Sequence, residues 1–133
     1  MLRGLTTVTY VADDLAVARE WYTRLLGVEP YFAKEHEGRL AYLEYRLGDH
    51  QSELGLLDRR FVPDGGPGTA VTYWAVDDVD AAHQRLLDLG ATEHLPVTEQ
   101  GPGFVTASVL DPFGNVLGVM YNQHYLDVAE GRK

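Results

Sequence analysis

The sequence predicts an α+β fold built from two βαβββ modules in tandem, and three observations carry that reading. First, the chain repeats itself: Val11-Ala12-Asp13-Asp14-Leu15 returns as Ala75-Val76-Asp77-Asp78-Val79, an offset of 64 residues in a chain of 133. A repeat of this length is a duplicated half-domain rather than a solenoid unit. Second, the offset holds through the following helix, where Leu15, Ala18, Tyr22 and Leu25 return as Val79, Ala82, Leu86 and Leu89. Third, each helix is flanked by short β-branched or alternating segments bounded by Gly, Pro and Asp, the mark of strands.

The elements follow in order. Thr6 to Ala12 is rich in β-branched residues and reads as a strand. Asp13-Asp14 supplies a helix N-cap, because a carboxylate there accepts the unpaired N–H groups of the first turn. Leu15, Ala18, Tyr22, Leu25 and Leu26 form an apolar stripe at helical spacing, and Gly27 closes the helix. Val28 to Ala33 reads as a short strand interrupted by Pro30. Leu40 to Leu47 alternates Leu43, Tyr45 and Leu47 against Tyr42, Glu44 and Arg46, as a half-buried strand does. Glu53 to Leu57 is the next strand, and Arg59 to Gly68, with two prolines and three glycines, is a linker.

The second half replays the order. Thr69 to Val76 reads as a strand, and Asp77-Asp78 caps a helix running to Leu89 with Gly90 as its stop. A short strand near Glu93 to Pro96 and a flexible loop, Glu99 to Gly103, come next. Phe104 to Leu110 and Val116 to Tyr121 are strands around the turn Asp111-Pro112-Phe113-Gly114-Asn115. One domain over residues 1–133 is expected, with halves 1–58 and 69–122, linker 59–68 and a tail, 123–133, that docks or frays.

Composition narrows the function. The net charge of −9 argues against a nucleic-acid partner, which needs clustered Lys and Arg. With no cysteine, disulfides and thiol catalysis are excluded. No stretch reaches the roughly 20 apolar residues of a membrane helix, and Met1 to Thr6 lacks a signal-peptide core. A cytoplasmic protein is the simplest expectation.

The Asp-Asp-Leu helix entry with Trp21-Tyr22 and Leu25-Leu26-Gly27, the Val76-Asp77-Asp78-Val79-Asp80-Ala81-Ala82 entry with Leu89-Gly90-Ala91, and above all Asp111-Pro112-Phe113-Gly114-Asn115 resemble the vicinal oxygen chelate superfamily. This is the group of glyoxalase, bleomycin-resistance and extradiol-dioxygenase proteins. The resemblance spans Leu2 to Tyr121 and implies curved mixed sheets forming a cup, a homodimer, and a small molecule bound in the cup between the modules. It also implies metal positions at Thr7, Val71 and Gly118, and at either Gly55 or Glu53 in the first half. Glycine and valine carry no donor atom and a threonine hydroxyl is a poor ligand, whereas a catalytic zinc takes about three protein ligands. The five histidines, His36, His50, His83, His94 and His124, form no ligand pair at close spacing. No metal and no cofactor are expected.

The cup is then expected to take an organic ligand. Strand parity places Thr7 with Thr9, Glu53 with Gly55, Val71 with Tyr73, and Gly118 with Met120. Tyr42, Glu44 and Arg46 join them if Leu43, Tyr45 and Leu47 pack beneath the helix; the second half, by the same parity, suggests the reverse. Trp21, Tyr22 and Trp74 are read as core. Two glycines at the former ligand positions would leave open volume, and Glu53 is the single candidate for a catalytic group. The leading expectation is a metal-independent small-molecule binder. An acid–base enzyme working on a small oxygenated substrate through a carboxylate of raised pKa is the second, and a metal-dependent lyase or dioxygenase the third.

Overall fold

The computed structural model describes residues 1, 3, 5–62 and 71–131. The chain divides into two compact units, Met1–Gly68 and Thr69–Lys133, and each is a βαβββ module.

In the first unit Asp14 caps helix α1 (Leu15–Leu26), its carboxylate accepting from the N–H groups of Ala16 at 3.0 Å and Val17 at 3.3 Å. Gly27, at φ 73°, ends the helix with its N–H on the Thr23 carbonyl, the left-handed stop its sequence position calls for. Strands β1 (Thr7–Ala12), β2 (Phe32–His36), β3 (Arg39–Leu47) and β4 (Ser52–Asp58) form one mixed sheet in the order β1-β4-β3-β2, with β1 parallel to β4 and the other pairs antiparallel. The helix-side face holds the core: Tyr10, Ala12, Leu43, Tyr45, Leu54 and Leu56 are buried against Leu15, Ala18, Trp21 and Tyr22 of α1. Tyr45 is wholly buried and its hydroxyl reaches Thr23 Oγ1 at 2.9 Å and the Arg19 carbonyl at 3.2 Å, which locks β3 under the helix. This settles the parity left open by the sequence, and Tyr42, Glu44 and Arg46 lie on the opposite face.

In the second unit Asp78 caps α2 (Val79–Asp88), and β5 (Thr72–Ala75), β6 (Thr92–Gly101), β7 (Phe104–Leu110) and β8 (Val116–Asn122) form a sheet in the order β5-β8-β7-β6. Ala107 and Val109 are buried with Val79 and Leu86 of α2, so the apolar set of β7 faces its helix, as in the first unit. The parity that would have turned it outward does not hold. Trp74 is only half-buried, where a core position was expected.

Three segments differ from expectation. Of the loop expected at Glu99 to Gly103, Glu99 to Gly101 are instead the end of a ten-residue β6, whose pairing with β7 overrides their weak strand preference, and the turn is confined to Pro102 and Gly103. The second strand begins at Phe32 rather than Val28 and runs to His36, closed by Glu37 and Gly38, both at positive φ. These positive values suit a two-residue hairpin. Of the expected linker, Arg59–Phe61 forms a 3-10 turn, β-sheet Asp58 capping it; residues 63–68 lie outside the described residues. The tail forms helix α3 (Gln123–Ala129), capped by the Asn122 side chain. Among the described residues no helix is long and apolar enough to cross a membrane.

Candidate functional site

Register assigns the open face of the first sheet. Thr7 stands opposite Glu53 and Glu53 opposite Arg46, while Thr9 stands opposite Gly55 and Gly55 opposite Glu44. Residues directly opposed across a sheet point to the same side. Thr7, Thr9, Tyr42, Glu44, Arg46, Glu53 and Gly55 therefore share one face, away from α1.

Six of these seven come together in one network. Glu44 accepts from the Tyr42 hydroxyl at 2.6 Å and from the Tyr31 hydroxyl. The same Tyr31 hydroxyl lies 3.2 Å from Glu53 Oε1, so it bridges two carboxylates. Thr7 Oγ1 donates to Glu53 Oε2 at 3.3 Å. Arg46 approaches Glu53 at 3.6 Å and lays its guanidinium 4.2 Å from the centre of the Tyr31 ring. Gly55 lies beneath the Tyr42 ring. Thr9 sits on the same face, exposed.

The electrostatics follow from these contacts. Hydrogen bonds from Tyr31 and then Tyr42 hold the Glu44 carboxyl below the usual glutamate range. The Tyr31 hydroxyl is pushed up to about 12, first by its bond to Glu44. Tyr42 is pushed up as well, by burial first and by Glu44 second. Both phenols thus stay neutral donors across the physiological range, and Glu44 stays an anion.

Tyr31 was not singled out by the sequence. It precedes β2, and its N–H bonds the Glu44 carbonyl at 2.9 Å. The Glu37-Gly38 hairpin would have pointed to it, but a register shift between Lys34 and Glu35 displaces the pairing by one residue and hides the relationship.

The remaining expected residues belong to the second sheet. Tyr73 stands opposite Gly118 and Gly118 opposite Ser108, with Met120 two residues on; Val71 stands just before β5. The open volume expected at the two glycines is filled. A Cβ on Gly55 would stand 2.5 Å from the Tyr42 hydroxyl oxygen, and one on Gly118 would stand 2.5 Å from Tyr73 Cδ1. Each glycine is the floor on which a tyrosine ring lies.

The metal implied by the family resemblance does not fit these residues. Gly55 and Gly118 offer no donor and lie beneath phenol rings, Val71 offers none, and Thr7 is engaged with Glu53. Among the described residues no three His, Cys, Asp or Glu side chains gather into a metal-holding group.

Two βαβββ units, each opening its sheet away from its helix, define the glyoxalase fold class. The chain belongs to the Glyoxalase/Bleomycin resistance protein/Dioxygenase superfamily, whose profile matches residues 4–119. Solved structures of the same fold include a glyoxalase-related enzyme from Fulvimarina pelagi (TM-score 0.70, 18% identity, 92% of this chain and 90% of that one). A lactoylglutathione lyase from Agrobacterium tumefaciens aligns at TM-score 0.68 and 20% identity, over 94% of this chain and 98% of that one. TioX from Micromonospora sp. ML1 aligns at TM-score 0.64 and 17% identity, over 90% and 99%. At these identities the likeness is one of fold. No curated protein matches the sequence.

Proposed function

We propose that this chain binds a small organic molecule, without a metal, on the open face of its first sheet. The observation that carries the reading is the convergence of Glu44 and Glu53 on one tyrosine hydroxyl, against a single ion-pair contact from Arg46. Two carboxylates in this setting favour a ligand that is cationic or rich in hydrogen-bond donors. Tyr31 and Tyr42 add aromatic surface beside them, and a cation is attracted to such ring faces, as the Arg46 guanidinium is to Tyr31.

The acid–base alternative is less well supported. A general base near neutral pH needs a carboxylate raised toward 7; Glu44 is held below its ordinary range, so that reading rests on Glu53, which is already engaged by Thr7, Tyr31 and Arg46. An anion kept charged suits ion pairing rather than proton abstraction.

Titration of a panel of organic amines and neutral analogues, followed by intrinsic fluorescence, tests the proposal. Saturable binding of amines is expected, weakened about tenfold or more by Glu44→Gln and by Glu53→Gln, the equivalent of ~1.4 kcal/mol or more. Binding that both substitutions leave unchanged would remove the ligand from this face. Turnover of a small oxygenated compound in the absence of any saturable amine binding would put the enzyme reading in its place.

A further inference from the structure

His83 stands on the inner face of α2 with a polar atom left over. The residue is 8% exposed, and its Nε2 is buried and makes no hydrogen bond. Nearly every buried polar atom finds a partner, so this one calls for a reason. A carboxylate oxygen, Glu93 Oε1, lies 3.5 Å away.

Register explains why the two meet. Glu93 pairs with Val109 of β7, and Val109 is wholly buried on the side of α2. Residues opposed across a sheet share a face, so Glu93 belongs to the helix side. The next residue, His94, bonds Ser108 instead. Glu93 is thus the last residue of β6 to pair before the first of three register shifts along that strand, and β6 is an edge strand of its sheet.

One proton changes the chemistry of this contact. In neutral imidazole one nitrogen is a donor and the other an acceptor; in the imidazolium both are donors. A protonated His83 therefore presents Nε2–H to the Glu93 carboxylate, whichever nitrogen carried the hydrogen before. The Glu93 side chain is 53% exposed, so it can move the fraction of an ångström that a charge-assisted bond of about 2.8 Å requires. Of the other strands packed on α2, β7 carries no ionisable side chain and β8 carries Tyr121 alone. On β6, Glu99 lies six residues beyond Glu93. Asp111, just after β7, accepts from the N–H groups of Phe113 and Asn115. On α2 itself Asp80, three residues before His83, adds to the preference for a cation, Arg85 lies two residues on, and Asp88 accepts from Gln84.

We propose that His83 and Glu93 form a proton-operated latch between α2 and β6. With the ring neutral the pair is unbonded. When the ring takes a proton from solvent, Nε2–H donates to Glu93 and fastens the start of β6 to the helix. The stabilisation is present in acid and lost as pH rises through the titration of the histidine. The latch lies on the helix side of the second unit and does not rest on the ligand reading given for the first.

A double-mutant cycle on the full-length chain tests this. The native protein, His83→Gln, Glu93→Gln and the double variant are unfolded in urea at about pH 5.5 and about pH 8, either side of the ordinary histidine value of roughly 6.5. Acid also relieves the self-repulsion of a net charge of −9, but that effect is common to the four proteins and cancels in the cycle. The coupling between the two residues should be about threefold in the unfolding constant at the lower pH and absent at the higher. The amides of Thr92 to Leu95 should gain protection from hydrogen exchange at the lower pH in the native chain, and not in Glu93→Gln. Should His83→Gln fail to fold, Glu93→Gln carries the test alone, since it changes a surface residue: its cost should be about threefold greater at the lower pH. Coupling absent at the lower pH, coupling equal at both, or protection of β6 in Glu93→Gln that follows pH as in the native chain would each overturn the proposal.

Discussion

The Tyr42 ring lies directly over Gly55, its hydroxyl oxygen 2.5 Å from the point a Cβ on Gly55 would occupy. That hydroxyl donates to Glu44, the residue opposite Gly55 on β3. The glycine therefore makes room for the phenol, and the phenol holds the carboxylate. The Tyr73 ring likewise lies over Gly118, but there a Cβ would meet ring carbon Cδ1 at 2.5 Å and also the backbone carbonyl of Thr72 at 2.8 Å.

Alanine scanning of the two glycines should separate them. In Gly55→Ala the obstacle is the outer part of a side chain, and Tyr42 can swing away at the loss of its bond to Glu44. Overpacking of this kind costs about 1–3 kcal/mol. In Gly118→Ala the backbone of β5 must shift as well, so the loss should be larger. Urea denaturation of both variants measures this; a Gly55→Ala loss equal to or greater than that of Gly118→Ala contradicts the packing described.

The sequence disclosed the frame of each unit far better than the face that matters. Asp14, Asp78 and Gly27 are local signals whose effect is confined to one turn, and each does in the structure what its residue type dictates. Leu43 and Tyr45 were legible as a stripe, though not the side they face, because parity is fixed by the helix they meet. The contacts of Tyr31 with Glu44 and of His94 with Ser108 stayed hidden for a shared reason. Each lies across strand pairing that includes a register shift, and a shift of one residue cannot be counted from alternation. The glycines misled because a missing side chain reads as empty space, while here the space belongs to a tyrosine from a neighbouring strand. The four-residue strand expected at Glu93 to Pro96 became ten residues because β7 supplied the pairing that Glu99 and Gln100 do not favour by themselves.

The tyrosine–glutamate network should weaken in alkali. The Tyr31 hydroxyl ionises in the native state at about 12, against 10.0 for an unperturbed tyrosine. A native pKa raised in this way stabilises the fold fully below the unfolded value, and the contribution disappears as pH rises through the native one. The loss should fall between about pH 10 and 12, where a phenolate would face Glu44 and Glu53. Absorbance titration of tyrosinate should show a late-ionising class among the eight tyrosines, reduced in Tyr31→Phe and in Tyr42→Phe. Ionisation of all exposed tyrosines near 10 would contradict the contacts with Glu44.

Tyr45 tests how α1 is fastened to its sheet. Its hydroxyl is buried between Thr23 and the Arg19 carbonyl, so Tyr45→Phe keeps the ring and deletes only the bond. A buried hydrogen bond lost with its partner left behind costs about 1–3 kcal/mol. Because Thr23 and Arg19 are both on α1, the loss should appear as faster hydrogen exchange along Arg19 to Leu26 as well as a lower denaturation midpoint. Unchanged exchange in that stretch would mean that apolar packing alone holds the helix.

Asp58 is a buried acid-sensitive point of the first unit. Its carboxylate is 1% exposed and accepts from Arg39 at 2.7 Å and from the Arg60 N–H at 2.9 Å, with the Arg60 guanidinium 3.7 Å away. Burial by itself would raise its pKa; the Arg60 N–H, the Arg39 guanidinium and the charges of both arginines outweigh it and hold the group below its ordinary value. A native pKa depressed in this way stabilises the fold above the unfolded value, and that stabilisation is lost as pH falls through the native one. Asp58→Asn keeps an acceptor for the Arg60 N–H and removes the charge. It should cost about 1.5–3 kcal/mol near neutrality, the range for a hydrogen bond to a charged partner. Since the native protein loses the same interaction when Asp58 is protonated, the gap between native and variant should narrow steadily in acid. Denaturation midpoints measured from neutrality down through the carboxylate range check this, and a gap independent of pH would show that the ion pairs to Arg39 and Arg60 contribute nothing beyond the shape of the side chain.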